Sequence, residues 1–376
     1  MLSRLAVSNY KSIDAIDLEL GRVNLLIGEN GSGKSNLLEA LALIAGAAAG
    51  RLENDHLASR GVRMTDPERM VAGFTRGALS IDFDAVEDRH LRYRGALSHS
   101  GRPYGRWVYQ VPAMSLQHMN AALLDIAKIL GVADSRPHSD ARTAREALEK
   151  ISSVVYRDLP IASFLTYTPH EEALRDLSRE SHIEPIGVHG EGLYRLLESL
   201  SPDRFALVKE QLALIQWFED LEFTPGQNPA ARSLKIVDQH LGEGLRDFDQ
   251  RSANEGFLFV LLYACLLISK DTPRFFAVDN VDTALNPKLC AGVVRMFAEL
   301  TRSQDRQVIL TAHNPGALDG LDLRDDEQRL FVVYRNLEGR TRVRRIDASI
   351  LEGQERPLRL SEAFLRGYLG GLPEHF

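Results

Sequence analysis

The chain has 376 residues, of which 44% are hydrophobic and 26% are charged, a composition typical of a globular protein with room for two or three domains. Its net charge of −7 excludes attraction to nucleic acid through the overall field, so a DNA contact would need a local basic patch. No apolar run reaches the roughly 18 residues needed to cross a bilayer, and the N-terminus lacks the apolar segment of a signal peptide. The two cysteines, Cys265 and Cys290, lie in apolar helical patterns, which predicts reduced core residues in a cytoplasmic protein without a membrane partner.

The N-terminal segments alternate between apolar and polar residues and predict β-strands at LSRLAVSNY, AIDLEL and VNLLIG. The third segment runs into a glycine-rich loop and then into an apolar helix. Strand-like patterns return between Ala78 and Gln110, which predicts an antiparallel sheet flanking the first core.

The middle of the chain, from Pro112 to about Leu221, repeats apolar residues at helical spacing and predicts an inserted helical lobe. The segments that carry this spacing are AALLDIAKIL, AREALEKISSVVY and FALVKEQLALIQWFEDL.

The C-terminal part returns to strands. The short apolar runs RFFAVD and QVILTAH each follow a helical pattern, as in a parallel α/β sheet. A hairpin is predicted from LFVVYRN and TRVRRID, and a short helix from SEAFLRGYLGG.

The segment Gly28–Ser35 fits the phosphate-loop pattern G-x-x-x-x-G-K-[ST] between a predicted strand and a predicted helix. Its glycines let backbone N–H groups turn toward phosphate oxygens, and the helix N-terminus adds partial positive charge. Lys34 is expected to reach the β- and γ-phosphates of ATP, and the Ser35 hydroxyl to bind Mg²⁺. The predicted nucleotide-binding residues of this loop are Asn30, Gly31, Ser32, Gly33, Lys34 and Ser35.

A second motif, FFAVDNVDTALNP, brings a carboxylate to the end of an apolar run. In P-loop proteins an aspartate at this position holds Mg²⁺, so Asp279 and Ser35 are the predicted metal residues. The next residue is Asn280, where an ATP-hydrolysing protein of this kind usually carries a glutamate.

The motifs GENGSGKSNLLEAL, NYKS, DNVDTALNP and TAHNP together resemble those of the RecF/SMC-type branch of ABC ATPases. They are most similar to the small bacterial ATPases related to the OLD (overcoming lysogenization defect) and Septu-type phage-defence proteins. The segment GVHGEGLYRLLESL resembles the G-x-x-G-x-N-L segment of that group, with Gly192 in the asparagine position.

The resemblance implies an α/β fold of the P-loop NTPase class, an ABC ATPase head with a mixed, largely parallel sheet, flanking antiparallel strands and an inserted helical lobe. It covers roughly residues 1–48 and 230–376. The predicted parts are residues 1–111 with the phosphate loop, 112–230 as the helical insertion, and 231–376 with the remaining site.

Individual roles carried over from the family are also expectations. The metal aspartate falls on Asp279, the catalytic glutamate on Asn280, and the switch histidine that contacts the γ-phosphate on His313. The D-loop falls on Thr283–Asn286.

The family's signature sequence, which contacts the nucleotide of the opposite subunit, falls at the start of the helix in RSANEGFLFVLLYACLL. Asn254 and Gly256 are the predicted contacts, because an asparagine can cap the helix and donate to phosphate. Ser252 is the alternative. The family layout places adenine contacts near Asn9 and Lys11. The residues do not place the glutamine loop, for which Gln110 and Gln117 are the two candidates.

Asn280 predicts slow hydrolysis, because an amide cannot take a proton from water and loss of a general base costs about 10²–10⁴-fold in rate. Asp282 could stand in as the base if the turn is helical, since it would then lie one turn from Asp279. Alternatively, Asp282 is a loop residue that caps the next helix. The catalytic candidates are therefore Asn280, Asp282 and His313.

The C-terminal hairpin carries a basic cluster that predicts a possible DNA contact, or else a charged edge strand protected from pairing. The residues of this cluster are Arg335, Arg340, Arg342 and Arg344, with Arg345 beside them.

The functional prediction is an ABC-type ATPase that dimerises around ATP and Mg²⁺ and regulates a separate effector, such as a nuclease, in phage defence or DNA repair. The effector is expected on another chain, because little sequence follows the predicted switch and hairpin. The alternative is an ATP-locked scaffold with essentially no hydrolysis. A transporter subunit is disfavoured by the degenerate signature and the large insertion, and a metabolic kinase by the order of the motifs.

Overall fold

The computed structural model describes residues 1–74, 80–87, 92–99, 107–110, 159–176, 185–224, 233–242, 246–351 and 358–371. The chain forms two compact units. The first comprises Met1–Leu20, Gly31–Leu165 and Tyr334–Val343, and the second Gly21–Asn30, Thr166–Val333 and Arg344–Phe376. The boundaries predicted at residues 111 and 230 stay a prediction, because both fall outside the described residues.

The described strands are β1 Leu2–Tyr10, β2 Ile13–Glu19, β3 Val23–Ile27, β4 Ser80–Glu87, β5 Arg92–His99, β6 Trp107–Gln110, β7 Thr166–Tyr167, β8 Phe218–Thr224, β9 Ser233–Asp238, β10 Asp247–Phe248, β11 Phe275–Val278, β12 Gln307–Ala312, β13 Gln328–Arg335 and β14 Thr341–Ile346. The described α-helices are α1 Lys34–Ala48, α2 Asn54–Ala58, α3 Pro67–Met70, α4 Glu171–Arg175, α5 Leu193–Glu198, α6 Pro202–Leu212, α7 Glu255–Ile268, α8 Pro287–Ser303 and α9 Leu360–Leu365. Short 3-10 helices cover Pro160–Ser163, Pro315–Gly320 and Ala348–Leu351.

An antiparallel sheet with the order β2-β1-β4-β5-β6 belongs to the first unit. Strand β1 buries Leu2, Leu5, Val7 and Tyr10. Leu5 and Val7 alternate, as expected for a strand with one face in the core. The other two gaps are three residues long and lie beside a register shift at Leu2 and Arg4 and the positive φ of Asn9. The predicted antiparallel sheet is confirmed.

A second sheet has the order β14-β13-β3-β12-β11-β7, in which β3, β11, β12 and β13 are mutually parallel. Every residue of β3, β11 and β12 is buried, which explains their predominantly apolar sequences. The predicted parallel strands and the C-terminal hairpin are both confirmed.

The long apolar helix α7 is buried from Gly256 to Ile268. It contains Cys265, and α8 contains Cys290; both thiols are free and buried, as the sequence predicts. Within the described ranges, no helix has the length and apolarity needed to cross a membrane.

The helical prediction for the middle of the chain is wrong at its C-terminal end. Helix α6 ends at Leu212, and the following β8 pairs antiparallel with β9. Ile215 and Leu221 are both buried, but Leu221 pairs with Ile236 of the neighbouring strand. Ile215 lies before β8 and Leu221 lies within it, so the two are not buried on one face of a helix and helical spacing was not diagnostic here. The segments AALLDIAKIL and AREALEKISSVVY lie outside the described residues.

Candidate nucleotide-binding site

The phosphate loop leads from β3 into α1. Gly31 and Gly33 have φ angles of 77° and 112°, which favour glycine. Gly33 is the N-cap residue of α1 and brings no side-chain hydrogen bond to the helix start. The first backbone N–H groups of a helix otherwise need an acceptor, and an anion is a suitable one.

Ser32 and Lys34 are buried polar residues in this loop, 1% and 5% exposed. Among the described residues, the Ser32 Oγ atom has no hydrogen-bond partner. Since a buried hydroxyl normally has a partner, this atom fits a site for an oxygen-rich ligand such as phosphate.

The loop is held by three side chains whose contacts with it were not predicted from the sequence. Thr341 Oγ1 donates to the Ser32 carbonyl at 2.9 Å, and Ser12 Oγ lies 2.7 Å from Thr341 Oγ1. Arg335 Nε donates to the Gly31 carbonyl at 2.8 Å. These contacts fix the carbonyl groups of Gly31 and Ser32. The hydroxyl residues Ser12, between β1 and β2, and Thr341, at the start of β14, are the sequence signal that could have indicated them.

Glu39, on α1, is a 2% exposed carboxylate that three side chains contact. The Tyr10 hydroxyl donates to Glu39 Oε2 at 3.1 Å, and the charged ends of Lys11 and Arg63 contact its two oxygens. A buried carboxylate needs such partners. The ammonium of Lys11, which the family layout places near the adenine, is paired with Glu39.

In the second unit, three neighbouring strands end at the same sheet edge. Ile27 pairs with Ala312, and Val278 pairs with Leu310, so Gly28, Asp279 and His313 follow closely on these ends. In proteins with parallel α/β sheets, ligands bind at the carboxyl ends of the strands, which is this edge.

Asp279 and Asn280 share one partner, Thr311. The Thr311 hydroxyl donates to Asp279 Oδ1 at 2.5 Å and accepts the Asn280 N–H at 2.8 Å. Asn280 has a φ of 56°, a left-handed conformation in which asparagine is enriched. Thr311 was also missed, although a threonine within the apolar run before His313 marks it.

The turn that contains Asp282 is not helical, so the condition under which Asp282 would lie one helical turn from Asp279 is not met. Asn280 and Ala284 have positive φ angles. Asp282 Oδ2 instead accepts the backbone N–H groups of His313 and Asn314 at 2.9 and 2.6 Å. Asp282 therefore supports the segment before the 3-10 helix Pro315–Gly320.

Asparagines cap the two helices next to this turn. Asn254 Oδ1 accepts the Phe257 N–H at 3.3 Å at the start of α7, and Asn286 Oδ1 accepts the Leu289 N–H at 3.0 Å at the start of α8. The predicted capping by Asn254 is confirmed. A Cβ atom on Gly256 would lie 3.2 Å from the Ala284 carbonyl, so this glycine permits close packing.

The arginines of the C-terminal hairpin have partners within the chain. Arg340 Nη1 lies 2.6 Å from Asp14 Oδ2, and Arg342 Nη2 lies 3.6 Å from the same atom. Arg344 donates to the Leu369 carbonyl. The hairpin therefore does not present these groups as a free basic ridge, and DNA contact stays a prediction.

Two further predictions concern glutamine and glycine. Gln110 Nε2 donates to Ser98 Oγ at 2.7 Å, while Gln117 lies outside the described residues. Gly192 is the N-cap residue of α5 with a φ of 86°, a conformation that glycine and asparagine both adopt.

This fold and these motifs define an ABC-type ATPase of the RecF/SMC/OLD-like branch. Residues 1–75 match a family described as "AAA ATPase domain". Residues 120–319, more than half of the chain, match the family "AAA domain, putative AbiEii toxin, Type IV TA system". The chain belongs to this second family.

Curated relatives share short segments with this chain. The DNA replication and repair protein RecF of Haemophilus ducreyi is 43% identical over 60 residues, 16% of each chain. The OLD nuclease of Thermus scotoductus is 44% identical over 46 residues, 12% of this chain and 9% of the nuclease. The chain thus spans less than a fifth of the length of either relative.

Solved SMC heads share the fold. The SMC head domain from Thermotoga maritima has a TM-score of 0.50 at 15% identity, over 92% of this chain and 99% of that one. The Smc head domain derived from Pyrococcus furiosus, bound to the C-terminal domain of ScpA, has a TM-score of 0.51 at 13% identity, over 92% and 96%.

Proposed function

We propose that this protein binds ATP with Mg²⁺, dimerises around the nucleotide, hydrolyses it slowly and passes its nucleotide state to a separate effector protein. The observation that carries the proposal is Asn280, an amide that directly follows the metal aspartate in an otherwise suitable ATPase site. The nucleotide would then act mainly as a switch.

The proposed roles follow from the chemistry of each group. Lys34 and the first N–H groups of α1 bind the phosphates, and His313 contacts the γ-phosphate. Ser35 and Asp279 hold Mg²⁺, which supplies positive charge to the phosphate oxygens when bound. Asn254 and Gly256 contact the nucleotide of the partner copy.

Slow turnover follows from the amide of Asn280. Binding depends on charge and backbone donors, which this site keeps, whereas activation of water depends on a base. Asn280 cannot accept a proton, so the ATP-bound state should persist.

The effector is proposed from the family and the relatives. The family description names a toxin system, and one matched relative is a nuclease. The Pyrococcus head is bound to a second protein. A separate effector in phage defence or DNA repair is the function that these likenesses support.

An ATP-locked scaffold is the second candidate. It is favoured by Asp282, because one oxygen of this carboxylate already accepts two backbone N–H groups. If Asp282 does not act as a base, hydrolysis could be negligible and the protein would serve to assemble or restrain a partner.

The test is to measure molecular mass by light scattering and phosphate release with ATP–Mg²⁺, with ADP and without nucleotide. We expect a dimer with ATP that outlasts many turnover times of an ordinary ABC ATPase, and a monomer without it. Lys34→Ala is the control that should abolish the ATP effect. A molecular mass that does not change with ATP, or fast phosphate release, would contradict the proposal. ATP turnover measured with and without DNA distinguishes the switch from the scaffold.

A further inference from the structure

The turn after β11 is hydrogen-bonded at successive residues to the end of β12 and to the segment that follows β12. The Val281 N–H donates to the Thr311 carbonyl at 2.9 Å, next to the contacts between Thr311 and Asn280. Asp282 continues this series by accepting from His313 and Asn314. The backbone of His313 is therefore fixed to the turn that carries Asp279.

The remaining oxygen of Asp282 faces the interior. Among the described residues, Asp282 Oδ1 is buried without a hydrogen-bond partner, and so is the Tyr263 hydroxyl on α7. Burial raises the pKa of Tyr263, and the charge of Asp282 adds to this effect. One is an acceptor and the other a donor, and a bridging water would satisfy both.

The Tyr263 ring is packed in place. Its centroid lies 6.2 Å from that of Phe259 and 5.6 Å from that of Phe297, and the residue is fully buried. The hydroxyl therefore has little freedom to find another partner.

We propose that Asp282 is a positioning residue that holds the switch segment, accepting the backbone N–H groups of His313 and Asn314 with one oxygen and a water bound by Tyr263 with the other. This deepens the proposed function, on which the role of His313 rests. By fixing the backbone of His313, Asp282 determines the position of the His313 side chain, and it does not accept a proton from water.

Three variants separate positioning from base catalysis. Asp282→Asn keeps an acceptor oxygen but removes the carboxylate. Asp282→Ala removes the acceptor. Tyr263→Phe removes only the hydroxyl and keeps the ring packing. Asp319→Ala is the matched control. Asp319 lies near the C-terminal end of the 3-10 helix Pro315–Gly320, which follows Asn314, and its carboxylate accepts hydrogen bonds from Ser361.

The first measurement uses NMR to record the rate of amide hydrogen exchange at His313 and Asn314 in the absence of nucleotide. We expect exchange to be about 10- to 100-fold faster in Asp282→Ala, as for loss of a hydrogen bond to a charged acceptor. Asp282→Asn should stay within a few-fold of the native protein, Tyr263→Phe should fall between them, and the control should show no change. Native-like exchange in Asp282→Ala would overturn the proposal.

The second measurement is ATP turnover of the same variants. The turnover of Asp282→Asn should stay within a few-fold of that of the native protein. Asp282→Ala should no longer form the ATP-dependent dimer. A loss of about 10²-fold or more in Asp282→Asn with normal exchange would show that Asp282 is the base and overturn the proposal. If the native protein fails to bind ATP, the proposed function fails, while the exchange experiment still decides whether Asp282 holds this segment.

Discussion

At the scale of single residues, Asn280 joins two effects in one side chain. Its φ of 56° is a conformation that asparagine accepts more readily than glutamate, and its amide cannot act as a base. A glutamate at this position would therefore supply a general base, but it would lower the stability of the folded protein.

Asn280→Glu should raise ATP turnover on the order of 10²-fold and lower the free energy of unfolding by about 1 kcal/mol. Phosphate release and urea unfolding measure the two effects. Asn280→Gly is the control, since glycine relieves the backbone without adding a carboxylate. Equal turnover in the two variants would show that the missing carboxylate does not limit hydrolysis.

His56 on α2 supports a pH prediction. Arg60 Nε donates to His56 Nε2 at 2.9 Å, and Arg60 Nη1 donates to the Phe164 carbonyl at 2.6 Å. Burial, followed by the charges of Arg60 and Arg51, lowers the pKa of His56 to about 4. Between this value and the ordinary pKa of about 6.5, the unfolded chain binds the additional proton.

The contribution of His56 to stability should thus be complete above about pH 6.5 and decline as the pH falls toward 4. Urea unfolding of the native protein and of His56→Gln, which keeps an acceptor but does not titrate, measures this. The difference in unfolding free energy between the two proteins should change across that window. A constant difference would show that His56 titrates alike in both states.

At the scale of elements, the phosphate loop depends on β14. A Cβ atom on Gly33 would lie 2.2 Å from Thr341 Oγ1, whereas one on Gly31 would meet nothing within 4 Å. Both glycines have positive φ angles, so alanine strains the backbone at either position.

Gly33→Ala should weaken ATP binding by roughly 10-fold or more, because it displaces Thr341 as well as straining the loop. Gly31→Ala, which strains the backbone without a clash, should cost less. Calorimetric titration with ATP measures both, and thermal unfolding checks that each variant folds. The same loss in both variants would mean that Thr341 is not what positions the loop.

The elements also show what the sequence could reveal. Strand β11 was predictable, because continuous apolarity is a local signal that agrees with its burial. The strand type of β1 was also predictable, although only Leu5 and Val7 among its buried residues follow strict alternation. Strand β8 was not, because the apolar residues in and before it, Leu212, Ile215 and Phe218, also fit a helical spacing, and only pairing with β9 decides between helix and strand.

The site divides in the same way. The positions of Lys34 at the start of α1 and of Asp279 directly after β11 were predictable, since each residue lies in a contiguous motif. Thr341 contacts Ser32 across a separation of 309 residues, and Asp282 reaches His313 across 31. Contacts of this kind depend on tertiary structure, for which a single sequence has no local pattern.

At the scale of the whole molecule, the two buried thiols report on opening of the core. Cys265 and Cys290 are 0% and 1% exposed. Burial raises the pKa of both, and that of Cys290 to about 12, where the charge of Asp282 adds to the effect. Thiolates react and thiols do not, so both groups should be inert in the folded state.

Labelling by a thiol reagent should therefore require opening of the core. ATP–Mg²⁺ at about 100 times its Kd should slow labelling about 100-fold, since ligand binding lowers the open population by that factor. Lys34→Ala should remove the effect of ATP, and urea should expose both thiols. Labelling that is fast in the native protein, or indifferent to ATP, would contradict this prediction.

The position of β3 has a consequence for synthesis on the ribosome. Its two neighbours in the sheet begin at Gln307 and Gln328, so the strand that leads into the phosphate loop emerges long before either partner. At about 5–20 residues per second, the nascent chain waits roughly 15–60 s with this apolar segment unpaired. Chaperone capture of the growing chain is expected to be strongest during that interval.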